Sequence, residues 1–296
     1  MKFIIFGLCG WMACAVVDLP AMAGGAVAGK LSVFVSILPQ KYFVEQVGGD
    51  HVMVSVMVSP GHGPATYEPT PRQLVKLGEA RLYFKIGMPF ERSWLRQIES
   101  THSHLGIIDT RRGIHLRSMD RHHHGGSIRR VGYEKDPHIW TSPKLVIIQA
   151  ANIRDGLIAV DPLHRSDYES NYRRFSQRLE DLDYEISKHL EGLPNRKFLV
   201  FHPSWGYYAD RYSLRQLTIE VEGKEPGARQ LAEIIALAKT ESIKIVFIQS
   251  QFSSHIAEAV AKAIDANVVV LDPLAEDYIE NLTRVTKLLA KTLRSQ

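Results

Sequence analysis

The sequence predicts an α/β protein with two lobes, each built on a parallel β-sheet flanked by helices and joined by a long rigid helix. Three observations lead to this prediction. Short apolar runs alternate with amphipathic segments over residues 31–108, and the same alternation returns over residues 198–271. A long amphipathic segment over residues 166–190 lies between the two series. Alternating strands and helices are typical of βαβ units in parallel sheets.

The first series predicts a lobe with four strands. We expect strands over residues 31–38, 52–58, 82–86 and 107–108, and helices ending near Gly48 and Gly49 and over residues 71–77 and 89–99. The second series predicts strands over residues 198–201, 217–221, 244–248 and 268–271, with helices over residues 228–239 and 254–264. No sequence repeat accompanies the repeated rhythm, so two similar lobes are expected rather than a duplicated array.

The segment between the two series has one apolar face. Apolar residues recur there at steps of three and four: Tyr168, Tyr172, Phe175, Leu179, Leu182, Ile186 and Leu190. Ser166 with Glu169 predicts a capping box at its start, and Gly192 with Pro194 predicts its end. About 25 residues rising 1.5 Å each give a rod of roughly 35–40 Å, which can run along both lobes. The alternative is a helix packed within one lobe.

These signals predict a first lobe over residues 24–164, a linking helix over residues 165–192 and a second lobe over residues 193–296. A chain of 296 residues with 45% hydrophobic residues can bury a sizeable core. Its net charge of +4 comes from 36 basic and 32 acidic residues without a basic block, so no nucleic-acid partner is expected.

The first 23 residues predict a cleaved signal peptide and a periplasmic location. Lys2 precedes an apolar stretch over residues 3–17, and Ala21-Met22-Ala23 forms a small-x-small cleavage signal. The alternative, a membrane anchor, would need about 20 apolar residues. Both cysteines, Cys9 and Cys14, lie in this segment, so the mature chain would have no thiol. A lipid anchor on Cys14 is a further alternative, although residues 11–13 form a poor lipobox.

Residues 111–136 are predicted to form a mobile insertion in the first lobe. They are rich in Arg, Gly and His and have no apolar period. We therefore expect disorder there.

Three candidate metal ligands follow predicted strands. His202 and Asp272 come directly after strands, and His62 lies in the loop after another. Ligands of parallel α/β sheets bind at the carboxyl ends of strands, so these side chains can converge. His138, between Pro137 and Trp140, precedes a predicted helix near Ser142-Pro143. Any single histidine among 13 is more often a surface or core residue, but imidazoles with one carboxylate form a set suited to zinc.

Five stretches together resemble the ZnuA/TroA-like metal-binding proteins of ABC importers, the cluster A-I solute-binding family. They are residues 66–71 (Thr-Tyr-Glu-Pro-Thr-Pro), 136–140 (Asp-Pro-His-Ile-Trp), 201–207 (Phe-His-Pro-Ser-Trp-Gly-Tyr), 223–226 (Gly-Lys-Glu-Pro) and 271–274 (Leu-Asp-Pro-Leu). The resemblance implies two α/β lobes joined by a long helix, with one metal ion at their interface. It also implies a monomeric, non-enzymatic protein that delivers metal to a permease in the inner membrane with a cytoplasmic ATPase.

The family's second, third and fourth ligands fall on His138, His202 and Asp272. Histidine at the third position is similar to the zinc branch, whereas manganese and iron relatives tend to have Glu there. Zinc is therefore the expected ligand, and manganese or iron is the alternative.

The first ligand departs from the family pattern. The usual Pro-His-x-Tyr-Glu-Pro reads Pro-Ala-Thr-Tyr-Glu-Pro here, so Ala65 replaces the histidine. We expect His62 to supply the imidazole. Water, or another residue such as Glu68, is the alternative.

The insertion also resembles the histidine-rich loop of zinc transporters. The resemblance implies accessory, low-affinity metal ligands: His115, His122, His123 and His124. The alternative is a solvated, variable loop.

Other functions remain compatible with the same ligands. A zinc hydrolase also uses three protein ligands and water, but the sequence has no HExxH motif and no nucleophile elbow. An adhesin or a periplasmic metal chaperone could share the fold, and a neighbouring gene for a permease would separate these from an importer.

Overall fold

The computed structural model describes residues 29–119, 135–221 and 223–294, and within them the chain forms two four-stranded sheets. Each sheet is fully parallel and flanked by helices, which confirms the predicted fold class. The predicted signal peptide and His122, His123 and His124 lie outside the described residues. No helix in the described ranges is long and apolar enough to cross a membrane.

The first lobe follows the predicted order of strands and helices. Its elements are β1 (Leu31–Val35), α1 (Leu38–Gly48), β2 (Val52–Val56), α2 (Pro71–Gly78), β3 (Leu82–Lys85), α3 (Pro89–Thr101) and β4 (Gly106–Asp109). The sheet order is β2-β1-β3-β4. The predicted strand over residues 31–38 is three residues too long, because α1 begins at Leu38 with Pro39 in its first turn.

The second half of the chain repeats this topology. Before it, α4 (Pro143–Val160) packs on α1, β3 and β4 of the first lobe, and α5 (Arg165–His189) follows α4. The later elements are β5 (Lys197–Val200), α6 (Gly206–Arg211), β6 (Arg215–Thr218), α7 (Ala228–Thr240), β7 (Ile245–Ile248), α8 (His255–Ala263), β8 (Asn267–Val270) and α9 (Tyr278–Arg294). The sheet order β6-β5-β7-β8 matches that of the first sheet. The predicted strand over residues 217–221 is wrong at its end, since β6 stops at Thr218.

The long helix α5 has the predicted buried face and packs against α1, α4 and α9. It therefore contacts elements of both halves of the chain. The predicted capping box at Ser166 is wrong. A 3-10 turn over Pro162–His164 leads directly into the helix, so α5 begins at Arg165 without a side-chain cap. It ends at His189, shortly before Gly192, whose φ of 65° lies in the left-handed region.

One continuous hydrophobic core joins the two lobes. Phe43 of α1 contacts Phe175 of α5 and Tyr278 of α9, with ring centroids 6.1 and 4.9 Å apart. The same core also contains Phe84 of the first sheet and Phe247 of the second. Separating the lobes would expose this apolar surface to water, so we expect their relative position to vary little.

The two ends of the predicted insertion are ordered, which corrects the prediction of disorder over residues 111–136. The guanidinium of Arg111 donates two hydrogen bonds to Asp109 at 2.8 and 2.6 Å. Ser118 and Lys135 form an antiparallel bridge. The described ends of the insertion therefore pair with each other, at Ser118 and Lys135, where they join the first lobe.

Candidate metal site

Two imidazoles meet between the lobes. His138 lies just before a 3-10 turn (Ile139–Thr141), and His202 lies two residues after β5. Their Nε2 atoms are 3.3 Å apart, and their ring planes are inclined by 73°. Two Zn–N bonds of about 2.05 Å at the tetrahedral angle place the nitrogens about 3.3 Å apart. The spacing of the two nitrogens therefore fits a single tetrahedral ion.

A buried carboxylate lies behind each imidazole. His138 Nδ1 donates to Asp136 Oδ1 at 2.7 Å, and His202 Nδ1 donates to Glu220 Oε2 at 2.5 Å. A ring that donates from Nδ1 to its carboxylate and carries no second proton presents the lone pair of Nε2 to the other ring. Two facing lone pairs repel one another unless a cation lies between them. Carboxylate–histidine pairs of this kind orient metal ligands and increase their basicity.

The charges of Asp136 and His138 suit metal binding. Burial disfavours the anion of Asp136, but His138 and the hydrogen bond from Arg117 outweigh it and hold the pKa of Asp136 below its usual range. Burial also lowers the pKa of His138, whose exposed fraction is 5%. The lowered pKa of Asp136 favours its ionised form, and the lowered pKa of His138 favours the neutral imidazole, which is the form that binds a cation.

The segment that carries His138 is anchored to the second lobe. The indole Nε1 of Trp140 donates to the carbonyl of Pro273 at 2.8 Å, next to Asp272. The hydroxyl of Thr141 donates back to the His138 carbonyl at 3.0 Å. The segment then enters α4 with Pro143 in its first turn, as predicted.

The position of His202 is fixed by a buried glutamine. Gln249, directly after β7, donates from Nε2 to the His202 carbonyl at 2.9 Å and lies against Ser204 Oγ at 2.8 Å. The imidazole of His202 also stacks on Phe252 with ring centroids 5.2 Å apart. Both the backbone and the ring of His202 are thus held before any ion binds.

Asp272 and His62 line a cavity of about 90 Å³ between the lobes. Asp272 Oδ1 accepts hydrogen bonds from Leu274 N at 2.8 Å and from Gln251 Nε2 at 3.3 Å. His62 is exposed, and its Nδ1 donates to the Pro60 carbonyl at 3.3 Å. Gln251 lines the same cavity.

The structure brings His138 and His202 together but does not add a third ligand to them. In the described part of the chain, no three side chains of His, Cys, Asp or Glu are grouped closely enough to hold one ion. Glu68 is exposed and lines a different cavity, which it shares with His62. His115 is exposed at the base of the insertion.

Sequence reasoning missed the roles of Asp136 and Glu220. Two signals could have indicated them. Asp136 lies two residues before His138, so its carboxylate can fold back onto the ring. Glu220 lies two residues after β6, at the same carboxyl edge of the sheet as His202.

Comparison with known proteins places the chain in a family. Residues 33–292 match the family described as ZnuA, the zinc-uptake complex component A, periplasmic. The chain belongs to this family. It is 28% identical over 268 residues to a putative metal-binding protein of Chlamydia trachomatis, covering 90% of this chain and 93% of the relative. It is 27% identical over 252 residues to the high-affinity zinc uptake system protein ZnuA of Bacillus subtilis, covering 83% and 79%.

A solved structure extends the similarity to the whole fold. A crystal structure of ZnuA superposes with a TM-score of 0.83 at 43% identity, covering 89% of this chain and 99% of that one. The ZnuA family consists of substrate-binding components of zinc uptake systems, which are transport proteins rather than enzymes. The predicted class of function is thereby confirmed.

Proposed function

We propose that this chain captures one zinc ion in the periplasm through Nε2 of His138 and Nε2 of His202, and delivers it to an ABC permease with its ATPase. The observation that carries the proposal is the 3.3 Å spacing of the two nitrogens, each with a carboxylate on the opposite side of its ring. Two imidazole donors favour zinc over manganese, which prefers oxygen ligands.

We further propose that Asp272 and His62 complete the coordination shell. Both line the cavity between the lobes, and Trp140 hydrogen-bonds the residue next to Asp272. An ion held by the imidazoles would attract the carboxylate of Asp272. The exposed loop of His62, with Gly61 at a φ of 81° and Gly63 on the other side, can then turn inward over the ion.

This proposal gives the chain a binding role and no catalytic step. A closed four-ligand shell leaves no position for a reactive water, in contrast to the three-ligand sites of zinc hydrolases. The boundaries proposed for the mature protein are a first lobe over residues 24–164, a linking helix over residues 165–192 and a second lobe over residues 193–296.

The test is a competition titration of the mature chain, residues 24–296, stripped of metal with a chelator. A chromophoric chelator competes in turn for zinc, manganese and iron. We expect one tight zinc per chain and binding of manganese and iron weaker by at least a hundredfold. His104→Ala is a matched control, since this histidine hydrogen-bonds the Gly78 carbonyl away from the site. Manganese or iron binding as tightly as zinc would contradict the proposal.

A further inference from the structure

We propose that Arg117 is a positioning residue that sets the distance between the two imidazoles, an inference that rests on the proposed function. Its guanidinium bridges two carboxylates. Nη1 donates to Asp136 Oδ2 at 3.1 Å, and Nε lies 2.8 Å from Oδ2 of the exposed Asp210 in an ion pair. Asp136 holds His138, whereas Asp210 belongs to α6, the helix that begins four residues after His202.

Tyr207 of α6 adds a second link between the same two segments. Its hydroxyl donates to the Asp136 carbonyl at 2.9 Å and accepts from the Arg117 backbone N–H at 3.1 Å. The Asp136 backbone N–H also donates to the Arg117 carbonyl at 3.0 Å. Side-chain and backbone contacts therefore dock the His138 segment onto the helix that follows His202.

The close packing of Arg117 depends on the glycine that begins α6. A Cβ placed on Gly206 would lie 1.8 Å from Arg117 Nη1 and 3.0 Å from Asp136 Oδ2. Any larger residue at position 206 would therefore displace the guanidinium. Because Gly206 has no side chain, the guanidinium of Arg117 can lie directly on the first turn of α6.

The two carboxylate oxygens of Asp136 accept hydrogen bonds from different residues. Oδ2 accepts from Arg117, which leaves Oδ1 to accept from the imidazole and from the backbone N–H of His138. Without the guanidinium, the carboxylate would be free to rotate and to release the ring. Because Arg117 also pairs with α6, that loss would change both the tautomer of His138 and its distance from His202.

The experiment combines zinc competition with long-range ¹H–¹⁵N NMR of the imidazoles in the metal-free protein. The variants are Arg117→Gln, Arg117→Lys and Gly206→Ala, with Arg284→Gln as a matched control in an exposed ion pair with Asp277. In the parent, we expect His138 as a single Nδ1–H tautomer. Arg117→Gln should weaken zinc binding about tenfold, in line with outer-shell partners of metal ligands, and should give a mixture of His138 tautomers.

The two other variants separate positioning from simple charge or folding effects. Arg117→Lys keeps the charge but cannot bridge both carboxylates in the same way, so it should recover only part of the affinity. Gly206→Ala keeps the arginine and should still weaken zinc and mix the tautomers. If Arg117→Gln or, where that variant does not fold, Arg117→Lys keeps the parent's affinity within twofold and its single tautomer, the positioning role is overturned.

The same data separate this inference from the proposed function. A parent protein without tight zinc binding would refute zinc capture. The tautomer of His138 in the metal-free variants would still report whether Arg117 positions the ring.

Discussion

The two sides of the proposed zinc site differ in how firmly their side chains are held. On one side, His138 and His202 are buried or half-buried, each imidazole pairs with a carboxylate, and Gln249 clamps the His202 backbone. On the other side, His62 is exposed and has one long hydrogen bond to the Pro60 carbonyl. The imidazoles of His138 and His202 are held in position before the ion arrives, whereas the His62 loop is not.

This difference suggests an order of events in capture. An ion that enters the cleft meets two oriented lone pairs at once, so little entropy is lost in forming the first two bonds. The remaining ligands then close over a charge that is already held. A transporter protein must also release its ion, and a loosely held ligand on one side provides a place where release can begin.

The largest expected effect comes from removing one of the paired imidazoles. His202→Ala should weaken zinc binding by about a thousandfold or more, because it removes a ligand and leaves Glu220 without its partner. Competition titration measures this directly, with His104→Ala as the unchanged control. A zinc affinity that stays within tenfold of the parent's would show that the two imidazoles do not provide the main contacts to the ion.

A smaller effect is expected from the exposed side. His62→Ala should weaken zinc about a hundredfold, since the two paired imidazoles and Asp272 remain. Because His62 makes few contacts, the melting temperature of the metal-free protein should hardly change. Ala65→His in the His62→Ala background should restore part of the affinity by supplying the family's usual ligand. Unchanged zinc affinity in His62→Ala would assign this position to water or to another residue.

The sequence predicted the strand ends better than it predicted which side chains meet there. Strand ends led to His202, Asp272 and His62, and the Asp-Pro-His-Ile-Trp stretch led to His138. Within the described residues only His138 and His202 come together, and their role as zinc ligands stays a prediction.

Glu220 was missed because it meets His202 only through the pairing of β5 with β6, whereas Asp136 was missed although it lies only two residues before His138. The ordered ends of the insertion were missed because they depend on contacts between residues far apart in sequence, since Lys135 pairs with Ser118 and donates to the Leu116 carbonyl.

The smallest effect on zinc should come from the ion pair between the buried Asp183 and the exposed Arg211, which lies outside both sides of the site. Asp183 of α5 accepts hydrogen bonds from Arg211 at 2.8 and 2.5 Å and from the Tyr212 hydroxyl at 3.0 Å. Burial alone would raise the pKa of Asp183, but these partners hold it below the usual value. Asp183→Asn should reduce the free energy of unfolding at pH 7 by about 2 kcal/mol and leave zinc affinity within twofold.

The pH dependence of that effect follows from the depressed pKa. The stabilisation from Asp183 is fully present above the unfolded pKa of about 3.9, and it is lost as the pH falls through the lower folded value. Urea unfolding of the parent and Asp183→Asn should therefore differ most above pH 4 and converge in stronger acid. A difference that grows with acidity would contradict this assignment.

The most direct test of the account is a crystal structure of the zinc-loaded protein with anomalous scattering at the zinc edge. We predict one ion within about 2.1 Å of Nε2 of both His138 and His202, with both Nδ1 atoms still hydrogen-bonded to Asp136 and Glu220. Zinc bound through Nδ1, or at a position that contacts only one of the two rings, would contradict the claim that this carboxylate-backed pair is the centre of the site.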